Sequence, residues 1–310
     1  MPVKNYISNF VTEIIKVPKL LGYTRGLFLL PEVIMAYLKT HARQRSYTTF
    51  LTINNFSVYF ENTMSILSAN DLHILQGILL FEKPITSSDF SRYEQEIKSI
   101  SSQIQPSNFV TPFLRLDKYM KVEDNVVNFF HKINHPSVVL SLPEQIKILG
   151  SSLYKLLHQN YTLKVTLNNE QKYTAVNKFA HFHTIDEATG NFSLVRGIES
   201  SEEVYNQPLE ISLSEITAIK SDATRILHNW LCSVMEPGQK DIFTQGVFEE
   251  YLYNSPNFRY LDYKKNLIEE ALFELMSPGI DWKIIKIPRD DSWSIQRKNF
   301  PLSSQYWKML

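Results

Sequence analysis

Between Leu142 and Lys220 the apolar pattern of the chain changes period, and no other stretch restricts the fold so tightly. After Ser141, a capping residue, and Pro143 near a first turn, Ile146, Leu149, Leu153, Leu156 and Leu157 recur at helical spacing. Tyr161–Leu167 then alternates at period two and turns at Asn168–Asn169. Two more runs, Lys172–His183 and Asn191–Ile198, flank the polar turn Thr184–Gly190, and Leu209–Ile219 is the last. Short strands between turns, behind one helix, predict a small β-barrel over 141–221.

The flanks read as α-rich. Residues 5–17 space Ile7, Phe10, Val11, Ile14 and Ile15 on one helical face, which Pro18 ends. Pro31 opens a second helix with a basic tail, Lys39 to Arg45. Tyr47–Phe60 reads as two strands around Asn54–Asn55, and helices followed by a hairpin outline a winged helix over 1–64. Residues 65–140 predict a helical connector. Ser68 caps a helix to Phe81, a second helix starts at Thr86 or Ser87, and Val122–His131 forms a third. Beyond 222, helices at 223–234 and 263–276, a strand at 281–287 and an irregular aromatic tail from Trp293 make a C-terminal α+β region. The expected class is therefore α+β.

Bulk composition excludes more than it identifies. Cys232 is the only cysteine, so disulfide frameworks and multi-cysteine zinc sites within one chain are out, and a reducing cytoplasm is the expected compartment. No signal peptide is visible, and the most apolar stretch, 17–38, is broken by Lys19, Arg25, Pro31 and Glu32, so no membrane span is expected. Nine glycines argue against glycine-rich phosphate loops, and no nucleophile-elbow, P-loop, zinc-helix or dinucleotide pattern occurs. Net charge is zero but uneven: residues 1–60 carry seven Lys/Arg against Glu13 and Glu32, a net of +5. A basic end on a neutral body is what nucleic-acid binding asks for, and ordinary solvated surface is the competing reading.

The order helix, three short strands, then Leu-x-Ile-x-Leu-x-x-Ile-x-x-Ile at 209–219 resembles the WYL domain of bacterial transcription regulators. The resemblance spans 65–220 and implies an Sm-like barrel behind a DNA-reading winged helix. Phe192-Ser193-Leu194 stands at the family's Trp-Tyr-Leu signature, keeping only the leucine. The last strand carries Glu210, Ser212, Ser214 and Glu215 where the family presents arginine. Lys178 and Arg196 are the nearby cations and, with His181 and His183, form the expected ligand-binding set.

Other chemistry is sparse. His181 and His183 share one face of a strand, a geometry that suits a transition metal, but no third ligand is identifiable, and solvent-facing or barrel-lining histidines are the plainer reading. His228 and Cys232 lie one helical turn apart, as a thiolate–imidazole pair or as core. Lys39, Arg43, Arg45 and Tyr47 form the basic-aromatic cluster best placed for phosphates. No cofactor and no metal site are expected. Three functions follow in order: a nucleic-acid-binding regulator with a WYL-like barrel, oligomeric through its C-terminal region; a structural or interaction protein without catalytic activity; and an enzyme built around His181 and His183.

Overall fold

In the computed structural model the described residues are 14–17, 28–30, 47–53, 56–62, 67–89, 119–158, 160–167, 170–178, 182–197, 209–253, 261–280 and 282–298. The chain is a mixed α+β protein, as its sequence predicts. Lys39, Arg43, Arg45 and His181 lie outside these residues, as does the basic helix expected after Pro31.

Helix α1 (Ala69–Phe81) is the centre of the molecule. Ten of its thirteen residues are buried, so it keeps almost no solvent face. Its start is a capping box: the Ser68 hydroxyl accepts the Asp71 N–H at 3.3 Å, and the Asp71 carboxylate accepts the Ser68 N–H at 2.7 Å. The same fully buried carboxylate accepts the Ser152 hydroxyl at 2.6 Å and the Lys155 ammonium at 3.0 Å. Both donors stand on α3 (Leu142–His158), so one aspartate caps one helix and bolts it to another.

Close approach between helices sets the rest of the core. Helix α2 (Val126–Lys132) presses Phe129 onto Gly77 of α1; a Cβ at Gly77 would sit 2.9 Å from Phe129 Cζ and 2.8 Å from Ile133 Cγ2. Phe129 in turn meets Phe192 edge-on at 5.3 Å between centroids. Large apolar side chains at zero exposure, interlocked in this way, leave little room for volume change.

Among the described residues five sheets surround these helices, and the expected barrel does not close. Strands β8 (Asn160–Leu167) and β9 (Glu170–Lys178) form a hairpin where the sequence predicts one. They join β3 (Tyr47–Ile53) and β4 (Phe56–Asn62) in the order β3-β4-β8-β9. Strands β10 (Phe182–Ile185) and β11 (Asn191–Gly197) instead join β7 (Tyr119–Asn125) and β6 (Lys83–Pro84), in the order β10-β11-β7-β6. The last run contributes β12 (Leu209–Ser212), paired antiparallel with β1 (Ile14–Val17). The strand-forming runs of 160–212 are thus divided among three sheets, and no closed barrel forms among the described residues. A barrel closes only when its own two edges pair. Here those edges find partners from 14–62 and 119–125.

Three shorter corrections have local causes. Ile14–Val17, expected to be helical, is strand, because β-branched residues with a free partner edge favour pairing over an unsupported helix. Leu209–Ile219, expected to be one strand, turns into helix α4 (Leu213–Ala218) at Ser212. Ser212 and Glu215 form a second capping box, and Leu213, Ile216 and Ile219 are spaced by three, a helical interval. Val122–His131 is strand to Asn125 and helix after it, with the Asn125 side chain accepting the Val127 N–H at 3.1 Å. A parallel contact of β2 (Phe28–Leu29) with β5 (Leu67–Ser68) completes the sheets outside the C-terminal unit.

Candidate nucleic-acid interface

From residue 222 the chain builds a unit of helix, strand, helix, helix, strand, strand. Helix α5 (Asp222–Val234) is capped by the Ser221 hydroxyl, and eleven of its residues are buried, packing it against α1. Strand β13 (Lys240–Thr244) and helix α6 (Gln245–Tyr253) follow, then α7 (Leu261–Glu274) and the hairpin β14 (Trp282–Ile287) and β15 (Ser292–Arg297). The sheet order is β13-β15-β14, all antiparallel. Trp230, Phe243, Phe248 and Tyr251 fill the space under α5 and α6; Trp230 stacks on Tyr251 at 4.8 Å.

Helix α7 buries Ile268, Ala271 and Leu272, and Leu275 just past its end is buried with them. At 100° per residue, this leaves Asn266, Glu270 and Phe273 facing outward, and all three are exposed, Phe273 at 72%. Two ion pairs cross from α7 to the hairpin. Lys265 contacts Asp291 at 3.1 Å, and Lys286 contacts Glu269 at 2.5 Å. Lys286 also lies 5.2 Å above the Trp293 ring. Asp291 sits in the hairpin turn 288–291 at φ +46°, and its carbonyl accepts the Gln245 N–H at 2.9 Å, which ties the turn to the start of α6. The Asp291 carboxylate holds the Lys265 ammonium above its ordinary pKa. Arg289 is exposed at the tip of the same turn.

Behind this surface lies a buried polar group. The Glu215 carboxylate is 3.4 Å from His228 Nε2, and Cys232 Sγ is 3.5 Å from the same nitrogen. Arg297 donates to the carbonyls of Cys232 and Met235 at 3.4 and 3.0 Å and faces the Trp282 ring at 5.7 Å. Burial pulls the imidazole down, but its interactions with the Cys232 and Glu215 side chains outweigh it and lift His228 to about 9. Burial pushes the Glu215 carboxyl up, and the His228 charge, with hydrogen bonds from His228 and Ser212, brings it down to about 2. His228 and Glu215 are at most 1% exposed and Cys232 is 3% exposed, so no substrate reaches the pair: it is an internal ion pair of the core.

A cleft of about 540 Å³ opens at the end of α1, lined by Phe81, Lys83, Lys121, Glu123, Asp124 and Lys132 among others. Its cations are mostly committed. Lys121 contacts Asp89 at 2.5 Å and Glu123 at 2.7 Å, and Lys132 contacts Asp124 at 2.7 Å. Its lining therefore has no excess of positive charge for an anionic ligand.

The described members of the expected ligand set fall in two sheets, and His181 lies outside the described residues. His183 lies in β10 opposite Leu194, and Arg196 in β11 opposite Met120, while Lys178 ends β9 in a different sheet. Arg196 donates to both Glu82 carboxylate oxygens, at 3.0 and 2.7 Å. Tyr47 opens β3, within a hairpin that pairs with β8. Among the described residues no group of three or more His, Cys, Asp or Glu is placed to hold a metal ion, and no helix is long and apolar enough to cross a membrane. Sequence reading missed β13, α6 and β15. The last had a signal: a Pro288–Asp291 turn, then apolar Trp293 and Ile295 alternating with Ser294 and Gln296.

No protein-family model matches the chain, and no curated protein matches it. Among solved structures, a crystal structure of selenomethionine derivatives of domains 2 and 3 of RctB is similar in fold, with a TM-score of 0.50 and 10% identity, covering 92% of this chain and 99% of that one.

Proposed function

We propose that the protein binds duplex nucleic acid through residues 222–297, which form a winged helix: α7 enters the groove and the β14–β15 hairpin is the wing. The observation that carries the reading is the element order α5-β13-α6-α7-β14-β15 with strand order β13-β15-β14. The major groove of B-form DNA admits one α-helix, and recognition helices read base edges with their N-terminal residues. The N-terminal half of α7 carries Lys265 and Asn266, while Lys286 and Arg289 stand on the hairpin beside it. In this reading the C-terminal region supplies the winged helix; most of the 1–46 stretch on which one was expected over 1–64 lies outside the described residues. The division of 160–212 among three sheets speaks against the sensing barrel that the WYL resemblance implies.

The test is fluorescence anisotropy with a labelled duplex over a salt series. The wild-type chain is expected to bind at low salt, and Lys265→Ala, Lys286→Ala and Arg289→Ala each to weaken binding, Arg289→Ala flattening the salt slope by roughly 1 and the two ion-paired lysines by less. Absence of binding at low salt, or binding indifferent to all three substitutions, overturns the proposal. Lys39→Ala, Arg43→Ala and Arg45→Ala in the same assay report on the basic N-terminal cluster separately.

A further inference from the structure

We infer that Glu269 and Asp291 are specificity determinants of this surface: each neutralises a lysine that would otherwise take a backbone phosphate, which holds down affinity for duplex of arbitrary sequence. The inference rests on the nucleic-acid reading above.

Both carboxylates sit on the seam between helix and wing, and each engages the lysine of the opposite element. Glu269 of α7 holds Lys286 of the hairpin, and Asp291 of the hairpin holds Lys265 of α7. Glu270 and Asp290 lie beside them, both exposed, so a phosphate approaching either lysine also approaches two acidic groups. The chain carries no net charge, so no long-range field compensates that local repulsion. Half-exposed ion pairs of this kind are weak and exchange partners readily. A fitting sequence therefore has something to offer that a random one lacks. A carboxylate released from its lysine has a productive partner in the major groove, the exocyclic amine of cytosine, which donates a hydrogen bond to it. Phosphate contacts alone carry no sequence information, and taxing them raises the share of binding that comes from bases.

The experiment measures binding of the full chain to a duplex of random sequence between about 50 and about 200 mM salt, for wild type, Glu269→Gln, Asp291→Asn and the double variant. Two freed lysines add close to two phosphate contacts, so the fall in affinity across that range is expected to grow by about tenfold in the double variant, with tighter binding at the low-salt end. Asparagine tolerates the left-handed backbone at 291, so the turn survives, and thermal melts verify it. Glu187→Gln, an exposed acid in a distant turn, changes net charge without freeing these lysines and is expected to leave the slope unchanged. A double variant with wild-type affinity and slope, or one matched by Glu187→Gln, overturns the inference. If Lys265→Ala, Lys286→Ala or Arg289→Ala still weakens binding in that case, the surface binds duplex and only the role of the carboxylates falls; if none of the three does, both readings fall together.

Discussion

The Glu274 carboxylate at the end of α7 accepts the Thr224 hydroxyl at 2.6 Å and the backbone N–H groups of Lys220 and Ser221 at 2.5 and 3.3 Å. The helix assigned to the groove is thereby anchored to the first turn of α5, which packs on the central helix α1. One acidic side chain does for α5 what caps usually do from the helix's own sequence.

Glu274→Ala removes the acceptor from two backbone donors at a helix start. A loss of about 1–2 kcal/mol is expected, the size of a missing cap. Burial pushes this carboxyl up, but the hydrogen bonds from Thr224, Lys220 and Ser221 win and hold it below its ordinary value. Its contribution is therefore complete above the ordinary carboxylate range and fades as the pH falls through the lowered value. Denaturant titrations at neutral and acid pH would show it: a variant as stable as wild type at neutral pH contradicts the anchor.

His73 and His135 make the fold acid-sensitive. Their rings lie 5.0 Å apart, His135 stacks on Phe130 at 4.4 Å, and His73 Nε2 is 2.9 Å from the Ile133 carbonyl. Burial, aided by the Arg225 charge, lowers them from 6.5 to about 2 and about 4 respectively. The unfolded chain takes up protons first as the pH drops below 6.5, so stability present above that value is lost on acidification. Each histidine is expected to cost roughly 2 kcal/mol between pH 6.5 and about pH 5. His73→Gln with His135→Asn should flatten that part of the stability profile, and an unchanged profile refutes the assignment.

The Glu215–His228 pair has the opposite pH sign. The folded value of His228 lies above 6.5, so its stabilisation is complete below that and disappears as the pH rises through about 9. Removing one partner strands a buried charge, and Glu215→Gln is expected to cost about 3–5 kcal/mol at neutral pH. Because Glu215 also caps α4, His228→Gln is the cleaner probe of the alkaline limb, which should vanish in thermal melts of that variant.

At Gly77 two effects compete. Alanine improves helix propensity by about 1 kcal/mol. Its Cβ, however, would meet Ile133 Cγ2 at 2.8 Å and Phe129 Cζ at 2.9 Å, in side chains with zero exposure. Overpacking costs about 1–3 kcal/mol where neighbours cannot yield, so a net loss of about 1 kcal/mol is expected. Combining Gly77→Ala with Ile133→Ala should cost less than the two separately; strict additivity would show that the helices do not meet there.

Local signals in the chain were sufficient for the elements that carry their own start and period. Ser68 before an apolar run fixed the beginning of α1, and the five spaced apolar residues after Ser141 fixed α3, because caps and amphipathic stripes act within one turn or one face. The hairpins around 54–55 and 168–169 were legible for the same reason. The Ser212–Glu215 box was equally local, yet lay hidden inside a run whose alternation looked strand-like until the pairing with β1 showed where the strand ends.

Partnership was not legible. Period-two alternation says that a strand has two faces and nothing about which edge it pairs with, and edge pairing assigned 160–212 to three sheets instead of one barrel. The same holds for the interface. Lys265, Glu269, Lys286 and Asp291 are ordinary charged residues in sequence, and they form a surface only because Ile268, Ala271, Leu272 and Leu275 turn α7 toward the core and bring the hairpin alongside. Capped helices and turn-linked hairpins are written in the chain, since they depend on neighbours a few residues apart. The sheets and the charged seam come from folding as a whole, since both depend on which surfaces are buried together.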